Sequence, residues 1–160
     1  MKNNMCMKLN VVKFGGVLAL ALLVVHSCEK EAGENETKIS AYQSDDSHNS
    51  GKNCMDCHTS GGSGEGWFTV AGTVYENDRQ TTYPNATVRL YTGPGGTGDL
   101  KGTIEVDQLG NFYTTKSIDF TDGLYATVEG ASDTRAMNMV MDDGACNRCH
   151  GSSTDRIWVQ

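Results

Sequence analysis

The chain has 160 residues, with 13 Lys or Arg against 20 Asp or Glu, so its formal net charge is 13 − 20 = −7. This length allows one domain of ordinary size with tails, and the acidic balance argues against nucleic acid as a partner, because phosphate binding requires a basic surface. Hydrophobic residues make up 38% of the chain, which suffices for a small β domain. The six cysteines would suggest a disulfide framework in an exported protein, unless their spacing indicates another use.

Residues 1–27 form a predicted export signal. Three lysines (Lys2, Lys8 and Lys13) lie before or at the start of an apolar run, 14–25, that is shorter than the ~20 apolar residues needed to span a bilayer. The run ends in Val25-His26-Ser27-Cys28, which resembles the lipobox of bacterial lipoproteins. That resemblance implies cleavage before Cys28 and lipid attachment to it. An ordinary cleaved signal followed by an unrelated cysteine is the alternative.

Residues 28–50 form a predicted flexible tether. Apart from Ile39 and Tyr42, the stretch 29–53 has almost no large apolar side chains. Such a segment cannot bury enough surface to offset the entropy lost on ordering. Its acidity, starting at Glu29, resembles that of surface-displayed lipoproteins in the Bacteroidetes group. We therefore expect an exported protein of the bacterial cell envelope, bound to a membrane by its lipid on the periplasmic side or the cell surface.

Two copies of one short motif carry the chemistry. They are Cys54-Met55-Asp56-Cys57-His58 and Cys146-Asn147-Arg148-Cys149-His150, both of the form CxxCH. This pattern indicates c-type haem attachment, in which two thiols form thioethers with the two vinyl groups of one haem and the adjacent histidine is the proximal iron ligand. We therefore expect two covalently attached haem c groups, one on the loop 51–65 and one on the segment 142–160. The predicted binding residues are Cys54, Cys57, His58, Cys146, Cys149 and His150.

Three alternatives account for the same cysteines. A zinc ribbon usually separates its CxxC pairs by about 15–20 residues, whereas residues 58–145 separate them here. Disulfides or a thioredoxin-like redox site form the second alternative, but the redox site requires a βαβ context that we do not find. In the third alternative, only one motif carries haem.

The sixth iron ligand has two candidates. His48 is the one histidine outside the motifs in the chain after residue 27, so at most one haem can have two histidine ligands within a monomer. Met137, Met139 and Met141 precede the second motif and would face one side of a strand. They either pack the interior of the β domain or supply a ligand, and Met141 is the nearest to Cys146. The alternative for His48 is a solvated residue of the tether.

Residues 66–141 are predicted to form a mainly β domain, a small antiparallel β-sandwich. Runs of alternating apolar and polar residues are separated by turn signals such as Gly93-Pro94-Gly95-Gly96. The predicted strands are 67–75, 86–92, 101–106, 111–117, 124–130 and 135–141. If six strands alternate in direction, the chain returns to its starting end, which would place the two motifs near each other. Residues 156–160 are apolar enough for an extra edge strand or a cover over a haem.

Four segments of this domain resemble the carboxypeptidase regulatory-like (transthyretin-like) sandwich. They are 70–75, 86–91, 109–113 and 123–128, with a G-x-V opening, an A-x-V-x-L strand, a G-x-F turn and a G-x-Y-x-V strand. The resemblance implies a non-catalytic scaffold or an interaction module.

These features together predict a lipid-anchored dihaem c-type cytochrome that transfers electrons between redox partner proteins. Removal of residues 1–27 discards three lysines and leaves a net charge of 10 − 20 = −10, which favours a basic partner. One alternative is a haem enzyme or sensor with an open iron site, of the peroxidase or small-molecule reductase type. Another is a surface binding module with a structural metal site.

Overall fold

The computed structural model describes residues 35–160. The predicted export signal, Cys28 and the start of the predicted tether lie outside this part of the chain. Within the described residues, no helix is long and apolar enough to cross a membrane.

Strands dominate residues 35–160, as the alternating sequence pattern predicts. They are β1 (Val70–Tyr75), β2 (Thr87–Gly93), β3 (Thr97–Glu105), β4 (Asn111–Thr114), β5 (Tyr125–Glu129), β6 (Thr134–Ala136), β7 (Gly144–Ala145) and β8 (Ile157–Trp158). Two 3-10 turns, Cys54–Asp56 and Pro94–Gly96, and a four-residue helix α1, Cys146–Cys149, complete the described elements. Each of the six predicted strands overlaps one of β1 to β6, and β8 confirms the extra strand expected within 156–160.

The strands form two sheets. One has the order β3-β2-β5-β6 and is antiparallel throughout. In the other, β1 pairs antiparallel with β4 and parallel with the two short strands β7 and β8. The second sheet thus departs from a purely antiparallel arrangement, because the chain beyond residue 141 returns along β1 in the same direction. The C-terminal segment therefore joins the sheet by pairing with β1.

The hydrophobic core lies between the two sheets. On β2, Val88 and Leu90 are buried while Arg89 is half-buried, as the two-residue period of a strand requires. Phe112 of β4 is 1% exposed and belongs to the same cluster. Burying a side chain of this kind contributes about 1.5–3 kcal/mol. The prediction of a mainly β sandwich is confirmed.

The predicted flexible tether is wrong for residues 35–50, which lie against the sandwich. Ile39 forms an antiparallel bridge with Thr114, so this segment extends the sheet beyond β4. Ser40 is 3% exposed, and its hydroxyl donates to the carbonyl of Glu105 at 2.6 Å and accepts from the backbone N–H of Tyr113 at 3.0 Å. Backbone and hydroxyl hydrogen bonds hold the segment, which is why its shortage of apolar side chains does not leave it free.

The predicted boundary at residue 141 is also wrong. The strand predicted over 135–141 ends at Ala136, and the sheet continues instead in β7 and β8. Val159, just after β8, is fully buried in the core. The second motif is therefore built into the sandwich, between β7 and β8, and does not form a separate tail.

Candidate functional site

Both CxxCH motifs fold into a short helical turn with the same backbone hydrogen bond. The N–H of His58 donates to the carbonyl of Cys54 at 3.0 Å, and the N–H of His150 donates to that of Cys146, also at 3.0 Å. In such a turn, residues three positions apart are neighbours on one face, about 5–6 Å apart at their Cβ atoms. The two cysteines of each motif are therefore neighbours along one face of the turn, as attachment to a single macrocycle requires.

The ring of His58 is fixed through its Nδ1 atom. This nitrogen lies 3.0 Å from the carbonyl oxygen of Glu65 and 3.3 Å from that of Gly66. A carbonyl can only accept, so Nδ1 carries a proton, and in the neutral ring the lone pair is on Nε2. Nε2 is thus the atom available to bind a metal.

His150 is held in the same way by a different loop. Its Nδ1 lies 2.7 Å from the carbonyl oxygen of Asp155, which fixes the same tautomer. The loop returns to the ring because the backbone N–H groups of Ser152, Ser153 and Thr154 all donate to the carbonyl of Cys149. Histidines that bind metals commonly donate their other ring N–H to such a partner, which orients the ring and raises its basicity.

Packing adds to the restraint on His58. Its ring stacks on Phe68, with centroids 4.1 Å apart and an interplanar angle of 8°, and Phe68 stacks in turn on Tyr113 at 4.8 Å. Gly64 lies so close to the ring that a Cβ atom there would be 2.7–2.8 Å from three ring atoms. The imidazole therefore occupies a cradle that depends on a glycine at position 64.

His48 lies beside this cradle. The centroids of the His48 and His58 rings are 5.8 Å apart, and the planes are tilted by 35°. Both rings line a groove of about 700 Å³ that is also lined by Cys54, Cys57 and Tyr113. This volume falls within the range of about 300–1,000 Å³ that is usual for cofactor and ligand sites. The residues around the first motif therefore fit a haem-sized group.

The two motifs meet on β1. Thr73 accepts a hydrogen bond from the N–H of Gly51, just before the first motif, and bonds to Asn147 inside the second. Next to it, Gly72 faces Cys146, and a Cβ at position 72 would lie 3.0 Å from that of Cys146. The predicted proximity of the motifs is thus found. It comes from the return of β7 and α1 along β1 and not from the number of strands.

The thiols differ in environment. Cys57 and Cys149 are exposed, whereas Cys54 and Cys146 are partly buried, and none of the four is in a disulfide. Burial raises the pKa of the Cys146 thiol to about 12, and the charge of Asp143 adds to the rise. Burial also raises the pKa of Cys54. Redox-active CxxC sites have lowered thiol pKa values, so the first cysteine of each motif lacks the character of a thioredoxin-like nucleophile.

The methionines before the second motif do not share one face. Met141 is 6% exposed and belongs to the hydrophobic core, where it bridges to Leu124. Met139 is 71% exposed, and Met137 packs partly against the core. The prediction of a common face is wrong because β6 ends at Ala136, and for Met141 the packing alternative describes what is seen. Within residues 35–160, no three His, Cys, Asp or Glu side chains converge in a group that could hold a metal ion.

No protein-family model matches the chain, and comparisons with curated proteins and with solved structures find no match. The sequence pattern predicted the six motif residues as binding residues but did not indicate the residues that orient the two histidines. Glu65, Gly66 and Asp155 act through backbone carbonyls, which leave no trace in side-chain identity. The one signal for Gly64 was the glycine-rich stretch after the first motif.

Proposed function

We propose that the chain is a dihaem c-type cytochrome that transfers electrons in the bacterial cell envelope. The observation that carries the proposal is the matched orientation of the two motif histidines: each donates a hydrogen bond from Nδ1–H to a backbone carbonyl, which leaves Nε2 of the neutral ring for a metal. Two unrelated loops, of different lengths, produce this one result. A coincidental histidine after a CxxC pair would have no reason to be held in this way twice.

The roles of the side chains follow from the two turns. Cys54 and Cys57 would hold one haem, and Cys146 and Cys149 the other. Each thioether would form by addition of a cysteine S–H across a vinyl group: the S–H bond and the π bond of the vinyl group would break, and an S–C and a C–H bond would form, so no oxidant would be needed. A bound haem supplies a one-electron couple between Fe(III) and Fe(II), with the electron taken from a donor protein and given to an acceptor protein.

For the first site, the position of His48 supports it as the sixth ligand. Its ring shares a groove with that of His58, at a centroid distance of 5.8 Å. The segment 44–50 that carries it is fastened to the sandwich, since the N–H of Gln108 donates to the carbonyl of Ser44 and Asn111 donates to Ser47 and Ser50. A histidine fixed beside the proximal ligand is a better candidate than one on a free tether.

The sandwich serves, in this proposal, as the rigid scaffold of the two sites, as the resemblance to carboxypeptidase regulatory-like domains implies. The export signal would direct the protein to the envelope, and the lipid at Cys28 would attach it to a membrane there. With a net charge of −10 after removal of residues 1–27, a basic redox partner is favoured by long-range attraction.

The test is the mass and spectrum of the full chain, exported from a bacterium that assembles c-type cytochromes. We expect the processed polypeptide plus two intact haems, a Soret band, and reversible one-electron titration of each iron. The variant Cys57→Ser/His58→Ala should carry one haem, and Ser60→Ala, in the exposed loop after the motif, should carry two. An unmodified polypeptide without a Soret band, containing bound zinc, would overturn the proposal.

A second candidate function concerns the second site alone. The one non-motif histidine of residues 28–160 lies beside His58, so no further histidine among these residues is left for the second site. This favours an iron open to a small molecule at the second motif, in a sensor or a small-molecule reductase. Carbon monoxide binding to the reduced protein tests it: one molecule per chain supports an open second site, and none excludes it.

A further inference from the structure

Asn147 is an unusual residue for its place in the second motif. It stands between the two cysteines of CxxCH, yet it is only 7% exposed, whereas the side chain of the neighbouring Arg148 is 58% exposed. The short helix α1 packs against β1 on the side that carries Asn147. The Asn147 side chain therefore makes its contacts inside the protein, although it stands at a spacer position of the motif.

The amide of Asn147 bonds directly to the chain of the first motif. Its nitrogen donates both protons, one to the carbonyl of Lys52 at 2.9 Å and one to the hydroxyl of Thr73 at 3.0 Å. Its oxygen accepts from the backbone N–H of Thr73 at 3.1 Å. Lys52 lies two residues before Cys54, so one side chain joins the motifs across 95 positions of sequence.

Thr73 completes this junction. Its hydroxyl donates to the side-chain oxygen of Asn111 at 2.7 Å and accepts from the N–H of Gly51 at 2.9 Å and from Asn147. A hydroxyl has one proton and two lone pairs, so its whole capacity is used. Thr73 itself is 1% exposed. Removing a partner from a buried network of this kind leaves donors and acceptors unpaired, and such groups are costly.

We propose that Asn147 is the positioning residue that sets the distance and orientation between the two haem sites, with Thr73 as its anchor. The inference rests on the proposed function and adds the regulation of electron exchange between the two sites. Electron exchange weakens steeply with the separation of the cofactors. The side-chain amide of Asn147 belongs to the second motif and bonds to Lys52 next to the first. Because hydrogen bonds are directional, this contact fixes the separation of the two sites.

The test uses circular dichroism of the Soret band in the dihaem full chain. Two haems held close together couple excitonically and give a band with one positive and one negative lobe, whose size depends on their distance and orientation. Asn147→Ala and Thr73→Val should each lose the two-lobed band while the mass still shows two haems per chain. Thr73→Ser keeps the hydroxyl and should retain it. Arg148→Ala, at the other spacer position of the same motif, is the matched control and should also retain it.

The outcomes separate the two proposals. If the wild-type chain has no Soret band, the proposed function fails, and this inference fails with it. If the wild type has two haems and a two-lobed band that Asn147→Ala and Thr73→Val leave unchanged, the positioning role is refuted while the function stands. Two haems with a single-lobed band in the wild type would also refute it. Loss of the band in Thr73→Ser or Arg148→Ala as well would show a general loss of structure and not positioning.

Discussion

Gly64→Ala tests the cradle around His58. The added Cβ would lie 2.7 Å from Nδ1 of the ring and 2.8 Å from two ring carbons, whereas ordinary contact begins at 3.4 Å. The ring must therefore move by about 0.7 Å (3.4 − 2.7). If the ring moves along the direction of the hydrogen bond from Nδ1 to the Glu65 carbonyl, that bond lengthens from 3.0 Å to at most about 3.7 Å, which is too long for a hydrogen bond.

The expected cost follows from the contacts disturbed. A lost hydrogen bond contributes about 0.5–1.5 kcal/mol, and the stacking on Phe68 is weakened at the same time. We expect the free energy of unfolding to fall by about 1–2 kcal/mol, measured by urea denaturation with the fluorescence of the two tryptophans. In the haem-loaded protein, the absorption spectrum of one of the two sites should change.

Gly102→Ala is the matched control. Gly102 lies in β3, outside both motifs, and a Cβ there would lie 3.3 Å from the end of the flexible Ile118 side chain and in ordinary contact with Leu90, at 3.6 and 3.9 Å. Ala at such a position is neutral or stabilising, because it restricts the unfolded chain. If Gly64→Ala were as stable as Gly102→Ala and left the haem spectrum unchanged, the argument that position 64 orients His58 would be refuted.

Three further predictions concern single residues. His48→Ala should add one carbon monoxide molecule per chain to the amount bound by the reduced wild type; unchanged stoichiometry would remove His48 as a ligand. In the haem-free chain at pH 8, the Cys146 thiol should react with iodoacetamide on the order of 1,000-fold more slowly when the protein is folded than when it is unfolded in urea. The reason is that its pKa is about 12 in the folded protein against the usual 9.0, and each pKa unit lowers the thiolate fraction about tenfold. Peptide masses report this rate, the exposed Cys149 is the internal standard, and equal rates in the two states would contradict the burial. Ser40→Ala should destabilise the protein by about 1–3 kcal/mol, because it leaves buried backbone groups unpaired. Ser60→Ala should leave the stability unchanged. Equal stability of the two variants would support a flexible tether over residues 35–50.

Much of the fold was accessible from local pattern. The alternation of Val88 and Leu90 with polar neighbours marks β2, because side chains on a strand point alternately to opposite faces. Turn residues separated the strands for the same local reason. The segment 35–50 was not predicted to be ordered, because its stability comes from pairing with a distant sheet edge. Ser40 is no different locally from a residue of a solvated linker, and a single apolar residue such as Ile39 does not indicate a strand.

The sequence by itself determined the number of motifs, the spacing of the cysteines and the place of each histidine, because these are fixed by covalent order within five residues. The tertiary structure decided how the rings are held and where the motifs lie. The carbonyls of Glu65 and Asp155 select the histidine tautomers, and Asn147 joins the second motif to Lys52. These contacts depend on the return of the chain along β1, a long-range event for which no local pattern provides a signal. In the sequence, Asn147 is only a residue between two cysteines. The packing of α1 on β1 is what brings its side chain into hydrogen bonds that connect the two motifs.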